Sequence, residues 1–386
     1  MWYNRADRIT ETHVMERIGG FEYSPDCRYF SGYKPCRFKR MCAGCTHYSP
    51  QGTRILIVNL DAMGDVLMTT AMLKPLRRKY GDDAHITWLT RSNAAPLLEN
   101  NPLVDRIVEY SPESCTILVN QEFDAVFNCD KSENACALLN SVKAGEKYGF
   151  GLSPFGTIVP ANEENAYNFE MGLNDELKFR KNTLEGTRIL HEGMGLEFKR
   201  DEYVLVQTEE EQEFMRTFRN ENGIADMPVI GIHTGCSEMY PNKKLSVRQY
   251  IDLCSLLKDA FPSAAVVLVG GRAEAERNAE IARDVEGVLN TPATLGLRRG
   301  IGFIDLCDVL ITGDTCAMHI GIALKKFIVV FFGVSCAQEI DLYGRGAAIV
   351  SDCECSPCWK RECADPKCVT EIDLNSLVRG AETYFQ

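Results

Sequence analysis

Apolar residues along this chain come in short runs separated by polar, helix-spaced segments. Arg54-Ile55-Leu56-Ile57-Val58-Asn59-Leu60 is β-branched and continuous enough to predict a strand, and 65–80 repeats apolar positions at helical spacing. Similar runs predict strands at 84–89, 106–110, 124–129 and 146–150, with helical potential between them at 93–99 and 133–142. Over 151–222 charge rises and strand signals thin, so this stretch reads as a connecting region with helices at 183–193 and 209–222. A second alternation starts with a strand at 228–233, continues through a helix over 247–260 and a strand over 264–269, and reaches strands at 308–312 and 326–332. Strand and helix in alternation imply parallel sheets covered by helices. The expected fold class is therefore α/β, with two Rossmann-like doubly wound units facing a cleft, and ligands bind such sheets at the carboxyl ends of their strands. The expected division is an N-terminal extension over 1–52, irregular or helical to 26, a first unit with its connecting helices over 53–222, a second over 223–370, and a terminal helix over 371–386.

The 386 residues suffice for two or three domains, and 45% hydrophobic with 25% charged residues is the composition of a folded globular protein. With 54 acidic against 42 basic side chains the net charge is -12, which argues against general attraction to DNA, RNA or anionic lipid. No apolar run is long enough for a transmembrane helix, and the first 26 residues lack the apolar core of a signal peptide. A cytoplasmic protein is expected, at most peripheral to the inner face of a membrane.

Candidate chemistry sits in the loops after the strands. In Asp61-Ala62-Met63-Gly64-Asp65, Gly64 permits close backbone approach and Asp65 stands at the mouth of a helix, either as a cap or as a base for a substrate hydroxyl. The segment is not GxGxxG and gives no support to a nicotinamide dehydrogenase. Gly313-Asp314-Thr315, followed by His319, is again strand, turn and helix, and the free N–H groups of a first helical turn cradle phosphate. His233-Thr234-Gly235-Cys236-Ser237 with Lys243 and Lys244 offers hydroxyls, a glycine and two ammonium groups for a diphosphate. Gly270 follows the next strand, with Glu274 or Glu276 placed to accept from ribose hydroxyls.

Nine of the 17 cysteines fall into two groups. Cys27, Cys36, Cys42 and Cys45 end in a CxxC knuckle; Cys353, Cys355, Cys358, Cys363 and Cys368 precede the last helix. Such spacing suits metal ligation better than a disulfide framework, with structural zinc expected and iron or an iron–sulfur cluster as the alternative. Basic and aromatic residues around the first group, among them Arg37, Lys39, Tyr29 and Phe38, would also suit an anionic acceptor.

These loops, in this order, resemble glycosyltransferase family 9, the ADP-heptose:lipopolysaccharide heptosyltransferases and their relatives. The matching residues are Ile55-Leu56-Ile57-Val58 running into Gly64-Asp65-Val66, Asn100 to Asp105, Gly313-Asp314-Thr315 with Met318-His319, and Phe331-Phe332-Gly333. The resemblance implies a GT-B fold, a nucleotide-sugar donor held by the C-terminal unit, and inverting transfer that needs no metal. It implies Asp65 as general base, Lys243 or Lys244 against the departing diphosphate, and Asp314 and Thr315 at the donor, with His319 nearby. Related autotransporter heptosyltransferases hold iron in a cysteine finger. The sequence departs from the family in having Tyr240 and Leu245 where many members carry tryptophans, and Thr315-Cys316-Ala317 after the usual position of the aspartate. The donor expected is ADP-heptose and the acceptor a lipopolysaccharide core, another glycan or a protein. The alternatives are a metal-stabilised nucleotide-sugar-binding or assembly protein without turnover and, from the cysteines, an iron–sulfur redox protein.

Overall fold

A computed structural model describes residues 14–386, so residues 1–13 of the expected lead-in lie outside the described residues. From Glu16 onward the lead-in is sheet: β1 (Glu16–Ile18) and β2 (Phe21–Tyr23) form an antiparallel hairpin closed by Gly19 and Gly20. Both glycines have positive φ, 54° and 82°, as a tight hairpin turn of matching twist requires. The charges of Glu16, Arg17 and Glu22 mask that strand pattern in the sequence.

The first large sheet comprises β3 (Arg54–Val58), β4 (His85–Thr90), β5 (Arg106–Glu109), β6 (Glu122–Asn128), β7 (Lys143–Leu152) and β8 (Ile158–Pro160). Their order is β5-β4-β3-β6-β7-β8, parallel except for the β7–β8 pair. The second comprises β9 (Val229–His233), β10 (Ala265–Val269), β11 (Leu289–Asn290), β12 (Val309–Gly313), β13 (Phe327–Phe332) and β14 (Gly346–Val350). It runs β11-β10-β9-β12-β13-β14, parallel throughout. Ile55, Leu56, Ile57 and Val58 are all fully buried, because helices cover both faces of a parallel sheet, and each such side chain contributes about 1.5–3 kcal/mol.

Local differences from the sequence reading have physical causes. The helical potential at 93–99 yields a single 3₁₀ turn, Ala95–Leu97, because Pro96 has no N–H to bond the preceding turn and Asn100, with φ of 62°, turns the chain out of the helix beyond it. β7 starts at Lys143, three residues before the expected run, since its charged first half is solvated. β11 and β14 are edge strands, short or built of small half-buried residues, and carry little apolar signal.

One apolar core continues from the first sheet into the second. Helix Met63–Thr69 lies on helix Cys316–Ala323, so that Val66 and Leu67 share a cluster with Met318 and Ile320. Helix Glu209–Glu221, which a split at 222/223 assigns to the first unit, packs instead with the second: Phe218 meets Phe303 edge to face at 5.0 Å, and Met215 covers Gly302. The terminal helix, Leu374–Phe385, also covers the second sheet, with Gly380 close over Val329. Among the described residues no helix is long and apolar enough to cross a membrane.

Arg298 ties the halves together. Its guanidinium donates to both carboxylate oxygens of Glu211 (2.7 and 2.5 Å), to the Val206 carbonyl (2.8 Å) and to the Pro96 carbonyl of the first unit (3.1 Å). Arg298→Ala leaves a largely buried carboxylate and two carbonyls without their donor, and is expected to lower the unfolding free energy by about 2–3 kcal/mol. Urea titration with an unchanged m value checks this; a loss under about 0.5 kcal/mol would show the tie to be dispensable.

Candidate active site

In each sheet the strand order reverses beside the first strand, at β3/β6 and at β9/β12, and a doubly wound sheet opens a ligand crevice at such a point. The loop after β3 is held from the neighbouring strand end. Asp130 accepts from the Leu60 and Asp61 N–H groups, both at 2.9 Å, and from Ser132 N–H at 2.8 Å, while Arg91 grips the Asp61 carboxylate at 3.0 and 3.2 Å. This fixes the entry to helix Met63–Thr69, in whose first turn Asp65 accepts from the Ala62 N–H at 3.3 Å. Gly64 faces the second unit: a Cβ there would stand 2.6 Å from Cδ2 of His319. The missing side chain lets Asp65 and His319 share one space.

On the other wall, Lys243 and Asp314 pair at 2.6 Å, each side chain only 12% exposed. Gly313 makes this possible, because a Cβ there would overlap the Lys243 carbonyl. Thr315 caps helix Cys316–Ala323 in extended conformation, its hydroxyl 3.2 Å from that of Thr312 and 3.5 Å from Nδ1 of His233. Lys243 is bound to Asp314, the residue just before this helix start, and a cation beside a helix N-terminus is suited to phosphate. His319, buried, has Nδ1 3.4 Å from the Tyr203 hydroxyl and stacks on that ring. The Lys243 ammonium also lies over the rings of Trp359 (4.2 Å) and Tyr240 (5.3 Å).

The two carboxylates are driven apart electrostatically. Asp65 opens to the cleft, yet both units wall it in; this desolvation raises its pKa, and Asp314 adds to the rise, against the pull of His319, the Ala62 N–H and Lys243. Burial alone would raise Asp314 too, but Lys243 foremost, with His319 and Ser335, holds it below the ordinary aspartate value. Burial keeps His319 and His233 toward the neutral form, His233 down to about 4. A raised carboxylate beside a lowered one is the arrangement that separates a proton acceptor from a permanent charge.

Beside the start of helix Cys316–Ala323 a cavity of about 550 Å³ runs between the units, with Met63, Ser92 and Asn93 on one side and His233, Glu274 and Thr294 on the other. The Glu274 carboxylate accepts from Gly271 N–H at 2.8 Å, and side chains at Gly235 or Gly270 would displace it. Two expected contacts change. The Thr234 hydroxyl is fully buried and bonded to Asn278, so it supports the loop and does not reach a ligand. Lys243 enters the cleft, whereas Lys244 lies toward Cys236, whose thiol it lowers against the larger effect of burial.

The cysteine groups do not meet. The first sits at the amino ends of the first sheet, anchored where Arg28 donates to Asp105 (2.9 Å) and to the Pro50 and Asp83 carbonyls. There Cys27, Cys36, Cys42 and Cys45 line a separate aromatic cavity of about 390 Å³, at the opposite end of the strands from the cleft, which corrects the reading of this segment as an acceptor contact. N–H groups of Arg40 and Phe38 lower the Cys36 thiol. The second group lies beside the cleft: Cys353 and Cys355 are 3.5 Å apart, and Cys353, Cys355, Cys358 and Cys363 all add to the rise that burial gives Cys368, to about 11. Among the described residues no three His, Cys, Asp or Glu side chains already stand in ligating arrangement. Asp130, Tyr203 and Trp359 belong to the site without having been singled out in the sequence. A strand-end position beside the reversal point would have flagged Asp130; nothing local marks the other two.

The profile of "Glycosyltransferase family 9 (heptosyltransferase)" matches residues 116–369. Lipopolysaccharide heptosyltransferase 1 of Campylobacter coli is 22% identical over 304 residues, covering 73% of this chain and 84% of that protein. Among solved structures, a glycosyl transferase family 9 protein of Veillonella parvula superposes with a TM-score of 0.67 at 19% identity, covering 86% of this chain and 97% of its own. ADP-heptose lipopolysaccharide heptosyltransferase II of E. coli superposes with a TM-score of 0.58 at 19% identity, covering 86% and 100%. The shared fold is the two-sheet GT-B architecture.

Losing Asp314 strands a largely desolvated ammonium, so Asp314→Ala is expected to cost about 3 kcal/mol. In a double-mutant cycle with Lys243→Ala the coupling should be about 2 kcal/mol. Because the Asp314 carboxyl is lowered in the fold, that coupling is present above the ordinary aspartate pKa and is lost as pH falls through the depressed folded value. Additive losses in chemical denaturation at neutral pH would show that the pair does not interact.

Proposed function

The chain belongs to glycosyltransferase family 9, and on that premise we propose that it transfers heptose from ADP-heptose to an acceptor hydroxyl with inversion at the anomeric carbon. The observation that carries this reading is the opposition of Asp65, a carboxylate raised by desolvation, and Lys243 beside a helix N-terminus on the facing wall. Asp65 takes the proton of the acceptor hydroxyl as that oxygen attacks the anomeric carbon from one side. The bond to the donor phosphate breaks on the other side, and Lys243 with the N–H groups of residues 315–317 receives the negative charge. Asp314 holds Lys243 in place, and the neutral His319 fills the floor between the units without competing for the proton. Glu274 suits the ribose hydroxyls, and the cavity beside it the base. Lys178, whose ammonium lies 4.9 Å from the Trp359 ring, and Lys131, which burial and then Lys178 push down to about 8, favour an acceptor that carries carboxylate or phosphate. This reading carries a cytoplasmic site of action, at the inner membrane face when the acceptor is lipid-linked.

The spacing of the cysteine groups in the sequence supports metal in a structural role. Ligands of a tetrahedral thiolate site stand about 3.8 Å apart at metal–sulfur distances of about 2.3 Å, close to the 3.5 Å between Cys353 and Cys355. Cys353, Cys355, Cys358, Cys363 and Cys368 supply one donor set, iron or zinc, and Cys27, Cys36, Cys42 and Cys45 another, for zinc. Such a metal would cross-link its loop; the transfer itself uses none.

Asp65→Asn is expected to lower kcat by about 100-fold or more while ADP affinity by calorimetry stays within about threefold. Since Asp65 must be ionised to act and its pKa is raised, kcat/KM should rise with pH along an acid limb that lies above the ordinary aspartate range, and this limb should vanish in the variant. Wild-type turnover by Asp65→Asn would remove it as the base. Cys355→Ser with Cys358→Ser should abolish one metal equivalent by elemental analysis and lower Tm; unchanged metal content would rule out ligation by that pair.

A further inference from the structure

The loop that carries the second cysteine group leaves β14 and rejoins the fold at helix Lys367–Thr370. It is pinned at several points. Cys358 and Trp359 N–H groups both donate to the Val334 carbonyl, at 3.1 and 2.9 Å, and the Ser356 hydroxyl donates to the Gly333 carbonyl. From the first unit, Arg180 reaches across to the Ser356 and Glu354 carbonyls at 3.0 and 3.2 Å. Trp359 is held with φ of 50°, a left-handed backbone that an L residue keeps only where its surroundings over-determine it.

The result is an indole face set against the donor lysine. Lys243 Nζ lies 4.2 Å from the Trp359 ring, Tyr240 meets that ring edge to face at 5.1 Å, and Lys178 Nζ approaches at 4.9 Å. An indole attracts an ammonium without adding a second counter-charge to the one Asp314 already supplies, so it orients Lys243 at no further cost in its attraction for an incoming anion. Asp314 holds Lys243 on one side and Trp359 bounds it on another. Trp359 follows Cys358 directly in the chain, so whatever orders the thiols orders the indole.

We propose that the cysteine loop is a lever on the donor site: Trp359 is a positioning residue that aims Lys243 at the diphosphate of the donor, and the ordering of Cys353, Cys355, Cys358, Cys363 and Cys368 sets how well it does so. This rests on the reading of Lys243 as the diphosphate contact. It predicts that loop state is felt as affinity for the phosphates and not for the nucleoside.

The test is calorimetry on the full chain with ADP, UDP, inorganic pyrophosphate and adenosine as probes. Trp359→Leu, which keeps bulk but removes the π face, should weaken ADP and pyrophosphate binding by about tenfold and leave adenosine unchanged. Trp359→Phe should retain binding within about threefold, which separates the aromatic face from a folding defect. Adding Trp359→Leu to Lys243→Ala should cause no further loss, the signature of action through Lys243. Cys358→Ser should also weaken pyrophosphate binding, with no further loss when Trp359→Leu is added. Wild-type pyrophosphate affinity in Trp359→Leu, additive losses with Lys243→Ala, or no pyrophosphate binding by the wild type would each overturn the proposal. If UDP and pyrophosphate bind but ADP does not, the donor assignment fails while this inference stands.

Discussion

Everything at the site depends on how closely the two units approach where helix Met63–Thr69 crosses helix Cys316–Ala323. That approach requires a residue without a side chain at Gly64, because His319 occupies the space a Cβ would take. With the helices so near, Asp65 and Asp314 come under each other's field and under that of Lys243, although they belong to different sheets. A wider cleft would admit water between them and level their protonation behaviour. Packing at one glycine thus sets the electrostatics of both walls.

The alternation of apolar runs made the two parallel sheets legible, because strands buried on both faces are continuous in hydrophobicity and cannot be confused with solvated hairpins. The same rule hid what lies at the edges. β14 is built from small half-buried residues, and the hairpin β1–β2 is coated with charge. Asp65, Lys243, Asp314 and His319 were readable as candidates, since each stands in a segment after a strand's carboxyl end or in the first turn of the helix that follows it. Their partnership was not, because the 2.6 Å pair between Lys243 and Asp314 joins residues far apart in sequence. Tyr203 lies in a connecting segment without motif, and Trp359 among cysteines that invite a purely structural interpretation. Thr234 failed for the opposite reason: a hydroxyl in the right loop turned inward to meet Asn278.

The contrast between the two cysteine groups shows that composition does not fix a role. Both hold thiols at short spacing, but the first is clamped by Arg28 at the amino ends of the strands, where a doubly wound sheet places no ligand. The second occupies the other end, where its Trp359 lies beside Lys243. Their chemistry is alike and their position is opposite.

That second position follows from strand direction. β14 is parallel to β13, so the chain leaves it on the same side as it leaves β9 and β12. The cysteine loop is therefore one more member of the set of loops that form the ligand rim. Lengthening it would add material to the rim, and shortening it would remove a wall from the cleft; in neither case would the change stay local to a peripheral surface. A parallel final strand makes the tail of this chain part of its working face.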